Sequence, residues 1–419
     1  MRIELPISKS IANRLLILQA IHGDGLLTVS DCYSLPDDVQ LLYQALRLVH
    51  INTIHRRSQG VDCERNVVEN KVVDIVDLNL HIGNCGTAMR FLTAYCAQLE
   101  GTTVILDGVE RMHHRPIGQL VDALREIGAQ IDYLGAEGYP PLRIRGCILD
   151  KQRLVTINNP QSTQFVSALL LIGANVQTDS TSPYITLTRE MIERYAPTLF
   201  TEDSATSMRR SGGNKIRVAE DKINLDFVSE ANRNSVFLER DWSSAAFWYE
   251  FVALHGGAIT LPGLYRDSLQ GDKVVADIFT HLGVHTAYTA EGITIASTGT
   301  ADLQHSDLQG IDAQAPAQQS AEAVFYQDFS ACPDLYPAVA LTCERLGIAL
   351  HATGTDSLPL KESDRLRAVR EHRTDHDHRM AMALLIAGYE VDDTDCIRKS
   401  YPQFLEQYHR ICQPILGKK

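Results

Sequence analysis

The chain has 419 residues, 44% of them apolar, 22% charged and 7% aromatic, a composition that fits a soluble globular protein of two domains. A formal charge of −13 argues against nucleic acid and anionic membranes as partners, and admits small anions only where cations are gathered locally. No apolar run reaches the length of a bilayer span, "MRIELPISKS" lacks the apolar core of a signal peptide, and the nine cysteines are never spaced CxxC, so they read as reduced thiols of a cytoplasmic protein.

In chain order, the first element is "SKSIANRLLILQA", small polar residues running into an apolar helix. The same design returns in "GNCGTAMRFLTAYCA", "PQSTQFVSALLLIGA", "RDWSSAAFWYEFVAL", "SACPDLYPAVALTCERLG" and "HDHRMAMALLIAG". Amphipathic helices alternate with these. In "RPIGQLVDALREIG" the pattern predicts Pro116 at the first helical position and one apolar face from Leu120, Val121, Leu124 and Ile127. Gly128 then closes the helix. "AQIDYL", "PLRIRG" and "RLVTI" alternate with period two and read as short strands. The repeating unit, two helices and several strands, is longer than common solenoid repeats, so it predicts lobes rather than a linear array.

The first-type helices start near Ser10, Gly86, Thr163, Ser243, Ala331 and His378. The first five starts are evenly spaced, and the last interval is much shorter. Between the second helix of one unit and the first of the next lie residues 38–86, 116–163, 190–243 and 271–331, against only 363–378 at the end. In "KESDRLRAVREHRTDHDHRMAM" a strand-bearing piece is therefore expected to be absent, and the sixth unit to be shortened.

Several first-type helices begin with small residues beside a cation. Free N–H groups and the positive dipole end favour an anion there. Lys9 and Arg14 flank Ser10, and Arg90 lies one turn after Gly86. Ordinary capping accounts for any one such start; their recurrence does not reduce to it. Outside those starts, Arg111 and Arg115 flank "MHH" just before the Pro116 helix, Lys361 and Arg365 bracket Glu362, and Arg379 opens the last apolar helix; together they predict a cationic pocket for a multiply anionic small molecule. His113 with His114, and Asp375 to Arg379, are too few at workable spacing for a zinc site. There is no GxxxxGKS loop, and Cys85 reads as a small buried thiol rather than a nucleophile.

These stretches, with "PDDV", "ERMHHRPIGQLVDAL", "YPPLRI", "DSLQGD", "CPDLYPAVA", "KESDRL", "DHRMAM" and "KSYPQF", resemble the 5-enolpyruvylshikimate-3-phosphate synthases over nearly the whole chain and in family order. The resemblance implies an α/β fold of two inside-out barrel lobes, each of three βαβαββ units. Residues 1–8 and 240–419 would form one lobe and 9–239 the other, with the active site in the cleft between them. It implies transfer of the enolpyruvyl group of phosphoenolpyruvate to the 5-hydroxyl of shikimate 3-phosphate, with no metal or organic cofactor, in a cytoplasmic monomer. By motif, Lys9, Ser10, Arg14, Ser162, Thr163, Thr181, Asp334, Ser357 and Lys361 would hold shikimate 3-phosphate. Lys9, Asn84, Gly86, Arg115, Gln164, Arg365, Arg379 and Lys399 would hold phosphoenolpyruvate. Asp334 would take the hydroxyl proton, and Glu362, with a pKa raised by desolvation, would protonate the methylene carbon. Lys9 would assist both substrates.

Three departures carry expectations of their own. Phe91 stands where the family often has proline, beside the Gly86 loop, and Ser357 where it commonly has asparagine. The short connection between Ser363 and His378 is expected to expose a sheet edge and displace Arg365 or Arg379. That supports an alternative, a catalytically impaired homologue that still binds shikimate 3-phosphate. A third reading, the related transferase acting on UDP-N-acetylglucosamine, is disfavoured by "SKSIANR", "GTAMR" and "DHRMAM" as a set.

Overall fold

The computed structural model describes residues 1–22, 35–58, 67–68, 71–72, 77–195, 239–298 and 323–416. The chain divides into two compact units, Met1–Lys9 with Ser34–Asp37 and Leu238–Lys419, and Ser10–Tyr33 with Asp38–Phe237.

In the second of these units, a four-stranded sheet is ordered Leu78–His81, Thr103–Asp107, Leu142–Arg145, Gln130–Tyr133. Its first pair is parallel and the other two pairs are antiparallel. The helices Gly86–Ala97 and Gly118–Glu126 connect its strands. Pro116 lies outside the second of these, whose N-cap is Ile117. Gly128, at φ +101°, does end it, because only glycine enters that region without steric cost. Phe91 and Phe165 fill the core of this unit.

In the first unit, Trp242–His255 is apolar all round and almost wholly buried. Asp241 caps it, accepting from the N–H and hydroxyl of Ser244. Trp248 donates its indole N–H to Tyr401 Oη at 3.1 Å, and Tyr401 donates in turn to Gln407 Oε1 at 2.9 Å. The fifth apolar helix begins at Tyr336, later than its sequence start near Ala331. A 3-10 turn over Pro333–Leu335 comes first, and Pro337 falls in the first turn of the helix, where its missing N–H has no partner to lose.

Among the described residues, this unit holds a three-stranded antiparallel sheet of Ala258–Pro262, Val284–Tyr288 and Gly292–Ser297 and a parallel pair, Val324–Asp328 with Ala349–Thr353. The helices Tyr336–Leu346 and Arg365–Glu371 follow them in the same pattern as in the four-stranded sheet. The antiparallel pair that completes that sheet has no counterpart here, so the shortening falls in the unit opened by Val324, not in the one opened by His378. As expected for a missing pair, Ala349–Thr353 pairs among the described residues with Val324–Asp328 alone and has no buried residue, and Tyr326 beside it is 63% exposed. Residues 372–377 bridge the gap. His372, Asp375 and His376 adopt φ of 51°, 46° and 59°, a region where Asp and His are tolerated better than most side chains. His372 stacks on Tyr389 at 4.0 Å and contacts Glu344 Oε1 at 2.8 Å.

Glu250 is fully buried within Trp242–His255, and neither carboxylate oxygen has a hydrogen-bond partner among the described residues. Burial pushes its pKa well above the ordinary value. The folded state therefore holds a proton that the unfolded chain releases near pH 4.3, and stability falls as pH rises from there toward the folded pKa. Glu250→Gln is expected to stabilise the protein at pH 8 by about 1–2 kcal/mol, with the gain vanishing near pH 4. Thermal melts of both proteins across that range measure it.

Candidate active site

In the first unit, Asp334 occupies the 3-10 turn ahead of Tyr336–Leu346. Arg365 Nη1 donates to Asp334 Oδ1 at 2.8 Å, Arg379 Nη2 to Oδ2 at 2.9 Å, and Lys361 Nζ lies 3.3 Å from Oδ1. Burial alone would raise its pKa, but Arg379, Lys361 and Arg365 together hold it well below the carboxylate range. The expected displacement of an arginine does not occur here: both engage the same carboxylate. Asp377 secures this arrangement. It receives Arg365 Nε at 2.8 Å and the Arg379 backbone N–H at 2.9 Å, the latter capping His378–Ile386.

Glu362 differs from its expectation. His378 Nδ1 lies 2.7 Å from Oε2, and Lys399 Nζ 2.9 Å from Oε1. Desolvation does favour the acid form, but His378, Lys399 and Lys9 outweigh it, and the carboxyl is held well below its ordinary pKa. In this state it is a carboxylate and not a preloaded acid. Burial lowers the His378 pKa against the pull of Glu362, and toward the ionised carboxylate Nδ1 is the ring nitrogen placed to donate. Ser357 precedes the 3-10 turn Leu358–Leu360, half-buried.

In the second unit, Arg115 Nη1 donates to Asn84 O at 3.2 Å, and Arg90 Nη1 to Gly86 O at 3.0 Å. A Cβ on Gly86 would collide with Arg90 Nη1 and Arg115 Nη2, so a larger residue there would push both guanidinium groups out of their present positions. Burial and the neighbouring Arg115 depress the Arg90 pKa, the signature of like charges assembled for an anion. Cys85 caps this helix, its Sγ accepting from Ala88 N. Ser162 caps Thr163–Leu171, and Gln164 Nε2 donates to Thr87 Oγ1 at 2.9 Å. Thr181 is exposed ahead of Pro183–Tyr195.

Arg14 is placed otherwise than as a ligand. Its guanidinium is 3% exposed and donates to Thr188 Oγ1 at 2.7 Å, Ser10 O at 2.9 Å and Ser167 Oγ at 3.2 Å. Phe91 lies under it at 5.5 Å. The departure at position 91 thus acts on Arg14 from inside the helix Gly86–Ala97. Sequence reasoning passed over Asp377 and His378, although "DHDHR" contained both. Glu362, Asp377 and His378 bring ligand atoms within 4.8 Å of one another. A divalent ion there would compete with Arg365 and Lys399, which already neutralise the carboxylates, so the donor set fits a metal poorly.

Among the described residues no helix is long and apolar enough to cross a membrane, and the described cysteines are free thiols. A family model described as EPSP synthase (3-phosphoshikimate 1-carboxyvinyltransferase) matches residues 1–372 and 370–408; the two stretches overlap at 370–372, where the 372–377 turn begins. The chain is 33% identical over 441 residues to the 3-phosphoshikimate 1-carboxyvinyltransferase of Bacteroides fragilis strain YCH46, covering 96% of this chain and 93% of that one. It is 29% identical over 459 residues to that of Yersinia pseudotuberculosis serotype O:3 strain YPIII, covering 98% and 96%. The solved EPSP synthase of Acinetobacter baumannii matches with a TM-score of 0.56 at 18% identity, over 98% of this chain and 95% of that one, which gives this chain the two-domain α/β fold of that protein. With its motifs in order along both matched stretches, the chain belongs to the EPSP synthase (3-phosphoshikimate 1-carboxyvinyltransferase) family.

Proposed function

We propose that this protein transfers the enolpyruvyl group of phosphoenolpyruvate to the 5-hydroxyl of shikimate 3-phosphate and releases inorganic phosphate. The observation that carries the reading is the Asp334 carboxylate held by Arg365, Arg379 and Lys361 in the same unit as the Glu362–Lys399 pair. The two substrates bring two phosphates and two carboxylates. A chain of net charge −13 binds them only where its cations converge, as they do here and around Gly86.

The same cations explain the base. Asp334 is fully ionised at neutral pH because they hold its pKa down. As substrate anions compete for those arginines, the carboxylate regains basicity and accepts the 5-hydroxyl proton. The hydroxyl oxygen then bonds to the central carbon of phosphoenolpyruvate. As the substrate anions draw Lys399 and Lys9 away from Glu362, desolvation lets that carboxylate take up a proton from solvent, and this proton enters the methylene carbon. Return of that proton to Glu362 restores the double bond as the carbon–oxygen bond to phosphate breaks. Lys9, Ser10, Ser162, Thr163, Thr181, Ser357 and Lys361 fit the shikimate side of this reading, and Asn84, Gly86, Arg115, Gln164 and Lys399 the phosphoenolpyruvate side. Arg14 fits as a support for Ser10.

The finer fold follows the same reading: six βαβαββ units in two inside-out lobes, one unit shortened, in a cytoplasmic monomer without metal or organic cofactor. No observation favours the impaired homologue, since the short connection leaves Asp334, Arg365 and Arg379 in mutual contact. The test is phosphate release from phosphoenolpyruvate with and without shikimate 3-phosphate. Release that requires both supports the reading; none from folded protein overturns it.

A further inference from the structure

In the first unit, Ser8, Glu239, Trp242, Ser268 and Gln270 are all buried, and three distant stretches of chain meet there in one hydrogen-bond network; Ser268 and Gln270 belong to "DSLQGD". We propose that Gln270 is a positioning residue for Lys9: oriented by Glu239, its amide holds the Ser8 hydroxyl and so fixes the backbone from which the Lys9 ammonium acts on Glu362. This deepens the proposed function and rests on it for the identity of the reaction.

Both polar atoms of the Gln270 side chain are fully engaged. Oε1 accepts from Ser8 Oγ at 2.8 Å and from Trp242 N at 3.2 Å. Nε2 donates to Glu239 Oε2 at 3.0 Å and to Arg240 O at 2.8 Å. Two donors on one side and two acceptors on the other allow the amide a single orientation. Glu239 enforces it. Its carboxylate also receives Trp242 Nε1 at 3.1 Å and Ser268 Oγ at 2.7 Å, and offers acceptors alone. A flipped amide would set its oxygen against that carboxylate and deprive the Ser8 hydroxyl of its acceptor, leaving buried bonds unmade.

Ser8 immediately precedes Lys9, the first residue of the helix Lys9–His22. Its N–H donates to Glu239 O at 2.9 Å, and the Asp241 N–H to Pro6 O at 3.0 Å, so Ile7 runs antiparallel to Arg240. These backbone bonds set the course of the strand. The bond to Gln270 fixes its last residue, and with it the direction in which the Lys9 side chain leaves. Lys9 in turn reaches the chemistry: its charge helps to hold Glu362 ionised and disfavours a charged His378. A small rotation at Ser8 is magnified along the four-carbon stem of the lysine, and a misplacement of about 1 Å at a reacting centre costs roughly 100-fold in rate.

The test uses Ser8→Ala, which leaves the Glu239–Gln270 contact in place, and Gln270→Ala, each with Lys9 present and in a Lys9→Met background. Thermal melts identify a variant that fails to fold; if Gln270→Ala does, Ser8→Ala decides alone. With Lys9 present, each should lose about tenfold in kcat/KM for phosphate release. In the Lys9→Met background neither should change it by more than about twofold, since a residue acting through Lys9 has nothing left to position. An equal loss in both backgrounds overturns the proposal, because a merely structural contact is indifferent to Lys9. A Ser8→Ala protein as active as the wild type overturns it too. A second readout needs no turnover: 13C-carboxyl-labelled glutamate reports the titration of Glu362, its signal assigned by loss in Glu362→Gln. That titration should move upward in Ser8→Ala when Lys9 is present and stay fixed in the Lys9→Met background. If it does so while the wild type releases no phosphate, the proposed reaction fails and the positioning stands. If Ser8→Ala leaves it unmoved, the positioning fails whatever the reaction.

Discussion

Asp334→Asn should lower phosphate release by about 10³-fold at saturating substrates while the protein still folds. The amide keeps an acceptor for Arg365 Nη1, which now meets Oδ1 at 2.8 Å, but it cannot take a proton. Arg379 and Lys361 lose their counter-charge, so the anionic substrates meet less competition for these cations, and KM should fall or hold rather than rise. A drop in kcat with unchanged or lower KM is the signature of a group used in the transition state. A KM-only effect would make Asp334 a mere organiser of arginines. The pH profile adds a sign. Asp334, Glu362 and Asp377 all titrate below the normal carboxylate range in the folded protein. Their contribution to stability is present above the unfolded pKa of about 4 and is lost as pH falls through the folded values.

Arg365→Leu has the largest expected effect on stability. The guanidinium is 1% exposed and bridges Asp377, itself fully buried, to Asp334. Removing it leaves the Asp377 carboxylate with Ser363 Oγ at 3.2 Å, the Arg379 N–H and, more distantly, His378 Nδ1 at 3.8 Å. Breaking a buried pair from one side costs about 3–5 kcal/mol, because the remaining charge keeps its desolvation penalty. The melting temperature should fall by roughly 10 °C. Arg365→Leu combined with Asp377→Asn should recover part of this loss, since Asn keeps the helix cap without the charge. A single substitution that leaves the melt unchanged would show that the bridge is solvated, and that the 372–377 turn does not depend on it.

That turn shows why a chain lacking a strand pair still assembles the site. The strands would have carried the chain from Arg365–Glu371 to His378–Ile386. Instead, three left-handed residues reverse it, His372 stacks on Tyr389, and His376 Nδ1 meets Asp393 Oδ2 at 2.6 Å. The cost is the exposed edge at Ala349–Thr353. Arg365 at the start of Arg365–Glu371 and Arg379 at the start of His378–Ile386 both keep their contacts with Asp334.

The sequence by itself determined what depends on local pattern. Apolar runs with small, capping starts specified the helices at Lys9, Gly86, Thr163, Trp242 and His378, and alternation specified the strands around Ile131, Ile144 and Val155. Motif order alone pointed to Asp334, Glu362, Arg365, Arg379 and Lys399 as candidates for the site, and helix spacing alone exposed the short connection. Only the tertiary structure decided which groups those side chains meet. Arg14 turns to Thr188 and Ser167, 174 and 153 residues away, a use no local pattern can announce. Glu362 is a carboxylate rather than an acid because His378, Lys399 and Lys9 surround it. Secondary structure follows from interactions a few residues apart, whereas a buried group's charge state is the balance of desolvation against partners brought from distant parts of the chain.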